Sequence, residues 1–395
     1  MIGYDEAAAI TLALAKPLGC EEVSLARAAG RTLARRVEAR IDSPRENVSA
    51  MDGYAVRESD LTSLPARLRV AGESFPSNVP PPALVPGQCV RIFTGAPVPR
   101  GADRVVVQEV VRRDGDIAWF EQPLSPSRHI RARGSDFEAG EVLLEAGHRL
   151  DPKALVAAAG SDSLSVGVWR SPRFTLLSTG DELVEPGEAS DRPGSIPDSL
   201  SYGIVALAES WGGECVGKVR LRDEPLALEK AAADALASSD IVIVTGGASV
   251  GEKDYAKSMF EPAGLELLFA KVAIKPGKPV WLARAPGKIV IGLPGNPTSA
   301  MVTARLFLAP LIAGLSGRDP GSATDWRSAA LACGLEACGD RETFYRARWS
   351  GGSVEPIANQ ESGAQKALAS AQLLLRRRAG APASAAGDQV QILDF

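Results

Sequence analysis

A short run of apolar β-branched residues ends in a turn rich in glycine and hydroxyl groups. The run at 241–244 is typical of a strand that is buried on both faces, as in a parallel sheet. The glycines after it allow close backbone approach, and bare N–H groups in such a turn can hold an anion. Glycine-rich turns also occur for steric reasons alone, so a phosphate-binding turn and a purely structural one both stay open. The candidate ligand-binding residues here are Gly246, Gly247, Ser249, Gly251 and Asp254.

Two adjacent carboxylates follow a second predicted strand, at 174–178. Thr179 and Gly180 end this strand, and Asp181 and Glu182 come directly after them. Carboxylate oxygens are the ligands that Mg²⁺ prefers, so this pair is predicted to hold Mg²⁺ and to neutralise a phosphoanhydride. Capping of a helix N-terminus is an equally good explanation of Asp181.

Two lysines flank a Pro-Gly turn farther along the chain. Lys275 and Lys278 stand close enough in sequence for both ammonium groups to reach the phosphate of a pterin or an adenylate. The plainer alternative is a solvated turn. The lysines are therefore predicted to bind the anionic part of a ligand.

Two further polar positions stand beside prolines. Asn296 lies between Pro294 and Pro297 and is held rigidly enough to recognise the edge of a ring. Asp223 opens an Asp-Glu-Pro sequence, where it is a plausible N-cap of a helix predicted at 224–237.

The first half of the chain contributes two turns and a group of arginines. Thr94, in a Thr-Gly-Ala turn, offers the hydroxyl and amide donors that a tetrahedral oxyanion needs. Asp52 lies in a tight Met-Asp-Gly-Tyr turn, which without other information is best explained as an ordinary turn. Arg128, Arg131 and Arg133 are predicted to form a basic strip near a cleft, although arginine runs are usually solvated.

The composition excludes several classes of function. The 395-residue chain has a net charge of −4 and no nucleic-acid motif, so no nucleic-acid partner is predicted. Its two histidines lack partners at metal-ligand spacing, which argues against a zinc site and a Ser-His-Asp hydrolase. Five scattered cysteines and the absence of a secretory signal favour the cytoplasm. No apolar run approaches the roughly 18 residues that a membrane helix needs, so no membrane partner is predicted.

The elements that must position these residues change character twice along the chain. Residues 1–168 open with an amphipathic helix at 5–16 and continue as short alternating segments, which predicts a β-rich N-terminal region. Residues 169–316 alternate strands and helices, which predicts a doubly wound, mostly parallel α/β domain. Residues 317–395 show weak strand patterns and are expected to form a small β-rich domain.

Ligands of doubly wound sheets lie at the carboxyl ends of the strands. The loops at 178–182, 245–251 and 294–297 all follow predicted strands, so we expect them to converge on one rim. An apolar helix is predicted directly after the last of these loops, at 298–314.

Seven segments, in order, resemble the molybdopterin molybdenumtransferases, known as MoeA in bacteria and as the E domain of gephyrin in animals. The segments lie at 49–56, 91–103, 131–137, 178–183, 245–255, 273–278 and 293–297. The resemblance implies a transferase of molybdenum cofactor biosynthesis, which inserts molybdate into adenylated molybdopterin and releases AMP in the presence of Mg²⁺. It also implies an N-terminal region of two discontinuous subdomains, an α/β domain of the molybdopterin-binding type and a small β-barrel-like C-terminal domain.

The resemblance assigns roles to individual residues. It implies that Asp52 and Thr94 lie at the molybdate site and that Glu182 and Asp223 share in catalysis. Ser199 joins the residues that bind the pterin or the nucleotide, together with the glycine turn, the lysines, the Pro-Gly-Asn-Pro loop and Arg133. One position departs from the family pattern, because Leu200 stands where the family usually has asparagine, so an amide that could contact the substrate is absent there.

The resemblance further implies a homodimer in which the cleft is formed by the α/β domain of one subunit and the N-terminal region of the other. Molybdoenzymes or other cofactor-assembly proteins are expected as partners. Two alternatives stay open: a non-catalytic paralogue that carries molybdopterin or acts as a scaffold, and an adenylyltransferase that uses ATP.

Overall fold

The computed structural model describes residues 1–77, 79, 81–246 and 255–395. Four of the predicted site residues lie outside these ranges: Gly247, Ser249, Gly251 and Asp254. Three six-stranded sheets organise the described residues, one in the N-terminal region, one in the centre and one mainly from the C-terminal region.

The central sheet is mostly parallel, as the alternation of strands and helices predicts. Its strands, in spatial order, are Glu214–Leu221, Arg173–Thr179, Ile241–Thr245, Lys288–Leu293, Trp281–Ala285 and Glu266–Phe269. The first four run parallel to one another, and each of the last two pairs antiparallel with the strand before it in this order. Every residue of Ile241–Thr245 is buried, which is why this strand reads as a continuous apolar run.

Helices cover both faces of the central sheet. Ser199–Ser210 and the long helical segment Pro297–Leu315 pack on one face, in a core that includes Leu176, Ile243 and Ile291. Pro225–Ser238 and Tyr255–Ser258 pack on the other face. This arrangement confirms a doubly wound α/β domain.

The expectation that no apolar run approaches the length of a membrane helix is wrong for the helix Pro297–Leu315, which is long and apolar enough to span a membrane by length and composition. It consists of two α-helical parts joined by a π-helical turn at Ala304–Leu308. Its most apolar stretch is 94% buried inside the protein. Burial on the central sheet therefore accounts for its apolar character.

The N-terminal region contains two structural units. One is formed by two separate parts of the chain, and the other is a six-stranded sheet that lies between those parts in sequence. Strands Cys20–Ser24 and Val37–Glu38 pair with Ser165–Trp169 and Val142–Leu144, and the helix Pro152–Gly160 packs beside them. The six-stranded sheet has the spatial order Arg104–Val107, Gly53–Val56, Gln88–Ile92, Ala66–Ser74, Ile117–Phe120 and Val111–Asp114. A short pair of strands, Val48–Ser49 with Ile130–Arg131, lies at its margin.

The opening helix, Tyr4–Leu14, belongs to the core of the central domain rather than to the sheet that follows it in sequence. Tyr4 is buried against Phe307 and Phe344, with ring centroids 5.9 Å and 5.0 Å away. Its aromatic contacts therefore join the start of the chain to the central and C-terminal domains.

The C-terminal sheet borrows its first strand from the central segment. Its spatial order is Ile274–Lys275, Glu342–Ser350, Leu373–Arg377, Gln389–Asp394 and Arg327–Ala330, with Ser353–Pro356 paired to Glu342–Ser350. A short helix, Gln365–Ala369, precedes Leu373–Arg377. The predicted β-rich C-terminal domain is confirmed, and its pairing with Ile274–Lys275 fixes the position of the lysine turn.

One capping prediction is wrong. The helix predicted at 224–237 begins at Pro225, and its N-cap is Glu224 rather than Asp223. Proline suits the first helical position because its missing N–H would be unsatisfied there in any case. The cap therefore falls one residue later than expected.

Candidate functional site

The strands Arg173–Thr179 and Ile241–Thr245 lie side by side at the point where the strand order of the central sheet reverses. Their carboxyl ends bring Thr179 and Thr245 to one rim, each followed by a glycine. A Cβ at Gly246 would lie 2.2 Å from the Thr179 carbonyl oxygen, and its φ is +88°. Only glycine fits here, so the backbone of the two strand ends can approach closely. Such a switch point is where doubly wound proteins bind ligands.

A pocket of about 240 Å³ opens at this rim. Five of the residues predicted from the sequence line it: Thr179, Glu182, Ser199, Gly246 and Pro297. Leu200 lines it as well, and its side chain gives this part of the wall an apolar surface. The structure thus brings together the strand-end residues that the sequence placed in three different loops.

A chain of buried hydroxyl groups underlies the pocket. The Thr245 hydroxyl donates to Ser178 Oγ at 3.1 Å, and Ser178 and Ser201 share a hydrogen bond of 2.8 Å. Ser201 Oγ donates to Asp198 Oδ2 at 2.5 Å, and the backbone N–H of Ser201 donates to Asp198 Oδ1 at 3.3 Å. All four side chains are buried. Asp198 therefore caps the helix Ser199–Ser210 and ties it to both strand ends.

Sequence reasoning missed this network. The signal for Asp198 was present, because an aspartate directly before an apolar helix is a capping pattern. The partners Ser178 and Ser201 carry no such signal, since their pairing depends on how the helix packs against the sheet.

Carboxylates border the pocket on the side of the first strand end. A Cβ at Gly180 would lie 2.8 Å from Glu182 Oε2, so the Glu182 carboxylate folds back over this glycine. Asp181 is exposed, and its Oδ1 accepts a hydrogen bond of 3.2 Å from the backbone N–H of Asp223. The three predicted carboxylates therefore lie in one neighbourhood. Among the described residues, no group of three or more His, Cys, Asp or Glu side chains is arranged to hold a metal ion.

The loop after Lys288–Leu293 approaches the glycine turn. A Cβ at Gly295 would lie 3.4 Å from the Gly246 Cα. Asn296 is the N-cap of the following helix but makes no side-chain capping bond, and it is exposed. Among the described residues the Asn296 amide has no hydrogen-bond partner, so it is a candidate ligand contact. Pro294 is buried, and it anchors the loop to the end of the strand.

The two lysines line a second and larger pocket, of about 1020 Å³, between the central and C-terminal domains. Lys275 and Lys278 are exposed, and Arg341 adds a third cation to the lining, whereas Glu361 is the carboxylate there. Gly277 shapes the turn, because a Cβ there would lie 2.2 Å from Thr303 Cγ2. The excess of positive charge suits an anionic ligand.

Asp52 and Thr94 contact each other at the margin of the N-terminal sheet, where Asp52 precedes the strand Gly53–Val56 and Thr94 follows the strand Gln88–Ile92. Asp52 Oδ1 accepts hydrogen bonds from the Thr94 backbone N–H at 2.7 Å and from the Thr94 hydroxyl at 2.8 Å. These bonds, that of the backbone N–H above all, hold the pKa of Asp52 below its ordinary value, and the Arg91 charge adds to the effect. The backbone N–H and the hydroxyl of Thr94, which were expected to bind molybdate, thus already donate to the Asp52 carboxylate.

Within one chain, this turn is not part of either pocket. Asp52 and Thr94 line neither the rim pocket nor the lysine pocket. Arg133 is also apart from them, since its Nε is paired with Asp42 and its backbone N–H donates to Asn47 Oδ1. The described residues of one chain therefore supply two separate halves of the predicted site.

Models of known protein families match most of the chain. "MoeA N-terminal region (domain I and II)" matches residues 2–161, "Probable molybdopterin binding domain" matches 175–314 and "MoeA C-terminal region (domain IV)" matches 328–395. A molybdopterin molybdenumtransferase from Nostoc sp. is 37% identical over 331 residues, which cover 82% of this chain and 76% of the relative. The chain belongs to the MoeA family.

Other comparisons agree on membership of the MoeA family. A molybdopterin molybdenumtransferase from Haemophilus influenzae is 39% identical over 332 residues, covering 84% of this chain and 81% of the relative. A crystal structure of the molybdopterin biosynthesis MoeA protein from Pyrococcus horikoshii OT3 is 27% identical, with a TM-score of 0.81 and full coverage of both chains. The family and the fold class predicted from the sequence are confirmed, while the domain borders at 168 and 316 stay predictions.

One residue of this MoeA-family protein that sequence reasoning missed is Gln365. It lies in the short helix of the C-terminal domain and lines the rim pocket, together with Leu200. It therefore brings a residue with an amide side chain to the pocket wall, where Leu200 has none. No local sequence pattern predicts that Gln365 lines the rim pocket, because this position depends on how the C-terminal domain packs against the central domain.

Proposed function

We propose that this MoeA-family protein is a molybdopterin molybdenumtransferase, which inserts molybdate into adenylated molybdopterin and releases AMP during molybdenum cofactor biosynthesis. The observation that carries the proposal is the rim pocket at the switch point of the central sheet. Glycine, hydroxyl and carboxylate groups meet there beside a cationic pocket, in a chain whose relatives are named for this activity.

Adenylated molybdopterin would lie across the rim pocket and the lysine pocket. Gly180 and Gly246 allow the backbone to approach its phosphates, and Thr179 and Ser199 supply hydroxyl groups beside them. Lys275 and Lys278 would neutralise the pyrophosphate. Asn296, whose side chain makes no capping bond, would offer its amide to the edge of a ring.

The carboxylates at the rim suit Mg²⁺ bound together with substrate. Mg²⁺ is commonly held by one or two carboxylates and by the phosphates of a substrate, rather than by a complete protein site. Asp181 and Glu182 provide that number of carboxylates, and Asp223 is joined to Asp181 through its backbone N–H. Bound Mg²⁺ would stabilise the negative charge of the phosphoanhydride as AMP leaves.

The Asp52 turn would act on the substrate of a second copy of the chain. It lines neither pocket of its own chain, and it is open to solvent at Thr94. A homodimer that places this turn opposite the rim of its partner would complete the site. Molybdate would be bound there once a substrate or a cation relieves the two bonds between Thr94 and Asp52. We place the protein in the cytoplasm, with molybdoenzymes as recipients of its product.

The test is AMP release by the purified chain with adenylated molybdopterin, Mg²⁺ and molybdate, together with activation of a cofactor-free molybdoenzyme. Both signals should appear and depend on molybdate. Asp52→Ala should fold normally and lower AMP release by about 100-fold or more. Asp114→Ala, which changes an exposed aspartate of the same sheet, should release AMP at the parent rate.

Two other outcomes would replace the proposal. Tight binding of adenylated molybdopterin without AMP release or activation would identify a carrier. Product formation that requires ATP and molybdopterin would identify an adenylyltransferase.

A further inference from the structure

A third cavity, of about 530 Å³, lies where the N-terminal region meets the central domain. It shares no lining residue with the rim pocket or the lysine pocket. One wall is the backbone pair formed by Thr32 and Arg149. The opposite wall is the C-terminal end of Ser199–Ser210 with Trp211, and the floor comes from the segment that begins at Arg318. We name it the junction cavity.

Two guanidinium groups face the junction cavity without a carboxylate partner. Among the described residues, no carboxylate oxygen lies within 4.0 Å of the Arg149 or Arg318 nitrogens. Arg318 donates to the Ser210 carbonyl at 3.0 Å and to the Gly30 carbonyl at 3.4 Å, which leaves several of its five N–H donors unused. Burial, with the Arg149 charge as a smaller cause, lowers the pKa of Arg318 to about 10. Arg318 therefore stays charged at neutral pH.

Asp319 lines the junction cavity, but its carboxylate is hydrogen-bonded within its own loop. Asp319 Oδ1 accepts a hydrogen bond of 2.9 Å from the backbone N–H of Gly321. Both carboxylate oxygens lie 3.1–3.2 Å from where a Cβ of Gly321 would stand. Asp319 thus caps the turn Pro320–Thr324 and leaves the positive charge of the arginines unbalanced.

Thr32 adds an independent observation. It lines the junction cavity and is 2% exposed, and its hydroxyl has no hydrogen-bond partner among the described residues. Buried hydroxyl groups are nearly always hydrogen-bonded, because leaving one unpaired is unfavourable. Thr32 shares the cavity lining with two guanidinium groups that have no carboxylate partner among the described residues. Hydroxyl and guanidinium donors together form a donor set that an oxyanion satisfies.

We infer that the junction cavity binds a small molecule through an oxyanion group, a phosphate or a carboxylate. The oxyanion would lie between Arg149 and Arg318 and accept the hydroxyl proton of Thr32. The remaining volume accommodates the rest of the ligand beside Trp211. Because the walls come from two domains, a bound ligand also joins them, so occupancy should raise the thermal stability of the protein.

The experiment uses the full chain with Lys275→Gln and Lys278→Gln, which removes the anion-binding lysines of the larger pocket. Isothermal titration is carried out with inorganic phosphate, glycerol phosphate and citrate at constant ionic strength. At least one of them should bind saturably and raise the melting temperature. Inorganic phosphate alone would indicate a free ion, glycerol phosphate alone a phosphorylated metabolite, and citrate alone a carboxylate.

Three further substitutions in that background assign the binding to the junction cavity. Arg149→Gln, at an exposed position, should weaken binding about tenfold. Thr32→Val should weaken it by about threefold while leaving the unliganded protein at least as stable, since the hydroxyl it removes has no partner. Arg67→Gln, at an exposed position of the N-terminal sheet, is the matched control and should bind like the parent. No saturable binding of any probe, or equal binding by the Arg149→Gln variant, would overturn the inference.

Discussion

The rim of the central sheet and the Asp52 turn of the N-terminal sheet are built in different ways. At the rim, Thr179 and Thr245 are buried, and a chain of hydroxyl groups leads from Thr245 to Asp198. In the turn, one carboxylate oxygen of Asp52 accepts both donors of Thr94, and Thr94 itself is exposed. The rim is held by packing and by a buried hydrogen-bond chain, whereas the exposed turn is held by two charge-assisted hydrogen bonds.

This difference indicates that the rim and the Asp52 turn have different functions. In the described part of the rim, packed strand ends and buried hydrogen bonds set the shape without a bound ligand. A solvent-facing turn around an ionised carboxylate presents a charge that a second surface can contact. The three predictions below test the comparison, beginning with the largest expected effect.

Gly246→Ala should damage the rim most. Its Cβ would lie 2.2 Å from the Thr179 carbonyl oxygen, in a backbone conformation with positive φ. We expect the free energy of unfolding of the central domain to fall by about 3 kcal/mol and AMP release to be lost. Urea denaturation monitored by circular dichroism measures the first effect.

Gly287→Ala is the matched control for that substitution. Gly287 also has a positive φ, of +71°, but no atom lies within 4 Å of its added Cβ. The free energy of unfolding of Gly287→Ala should fall by only about 1 kcal/mol, which is the cost of the left-handed conformation. Equal losses at both glycines would mean that conformation, and not the close approach of the strand ends, decides the stability of the rim.

Gln365→Ala should change substrate affinity without changing the fold. Gln365 is the side chain of the C-terminal domain that gives the rim pocket an amide, while Leu200 offers none. Losing one substrate hydrogen bond should raise KM for adenylated molybdopterin by about tenfold. Leu200→Asn in the same variant should recover part of the loss, and Gln391→Ala, at an exposed position of the same domain, should leave KM unchanged. An unchanged KM in Gln365→Ala would remove this residue from the site.

The smallest of the expected effects is a change in how the stability of Asp52→Asn depends on pH. The folded state holds the pKa of Asp52 below its ordinary value of 3.8, so ionised Asp52 stabilises the folded protein above that pH. The stabilisation is lost as the pH falls through the folded pKa. The variant should therefore lose less stability than the parent between pH 5 and pH 3, as measured by urea midpoints. Asp114→Asn should follow the parent, and a parental profile in Asp52→Asn would show that the Thr94 bonds are weak in solution.

The sequence predicted the parts of the site that depend on strand ends. Apolar runs followed by glycine, hydroxyl or carboxylate residues located Thr179, Glu182 and Gly246, and the topology of a doubly wound sheet brought them to one rim. Ser178 and Gln365 were missed, because a serine inside a strand and a glutamine in a short helix carry no local signal. The Asp223 cap was misplaced by one residue, since Pro225 occupies the first helical position.

The sequence by itself determined the periodicities and turn chemistries of this protein, and through seven short segments its family. These properties are local, because a buried strand, a proline-led helix or a glycine turn is decided by residues within a few positions of one another. The tertiary structure alone decided that Gln365 reaches the rim pocket and that Asp52 stays away from it. It also decided that Thr32 is buried beside Arg149 and Arg318. Such neighbours are hundreds of residues apart in some cases, and only the packing of whole domains brings them together or separates them.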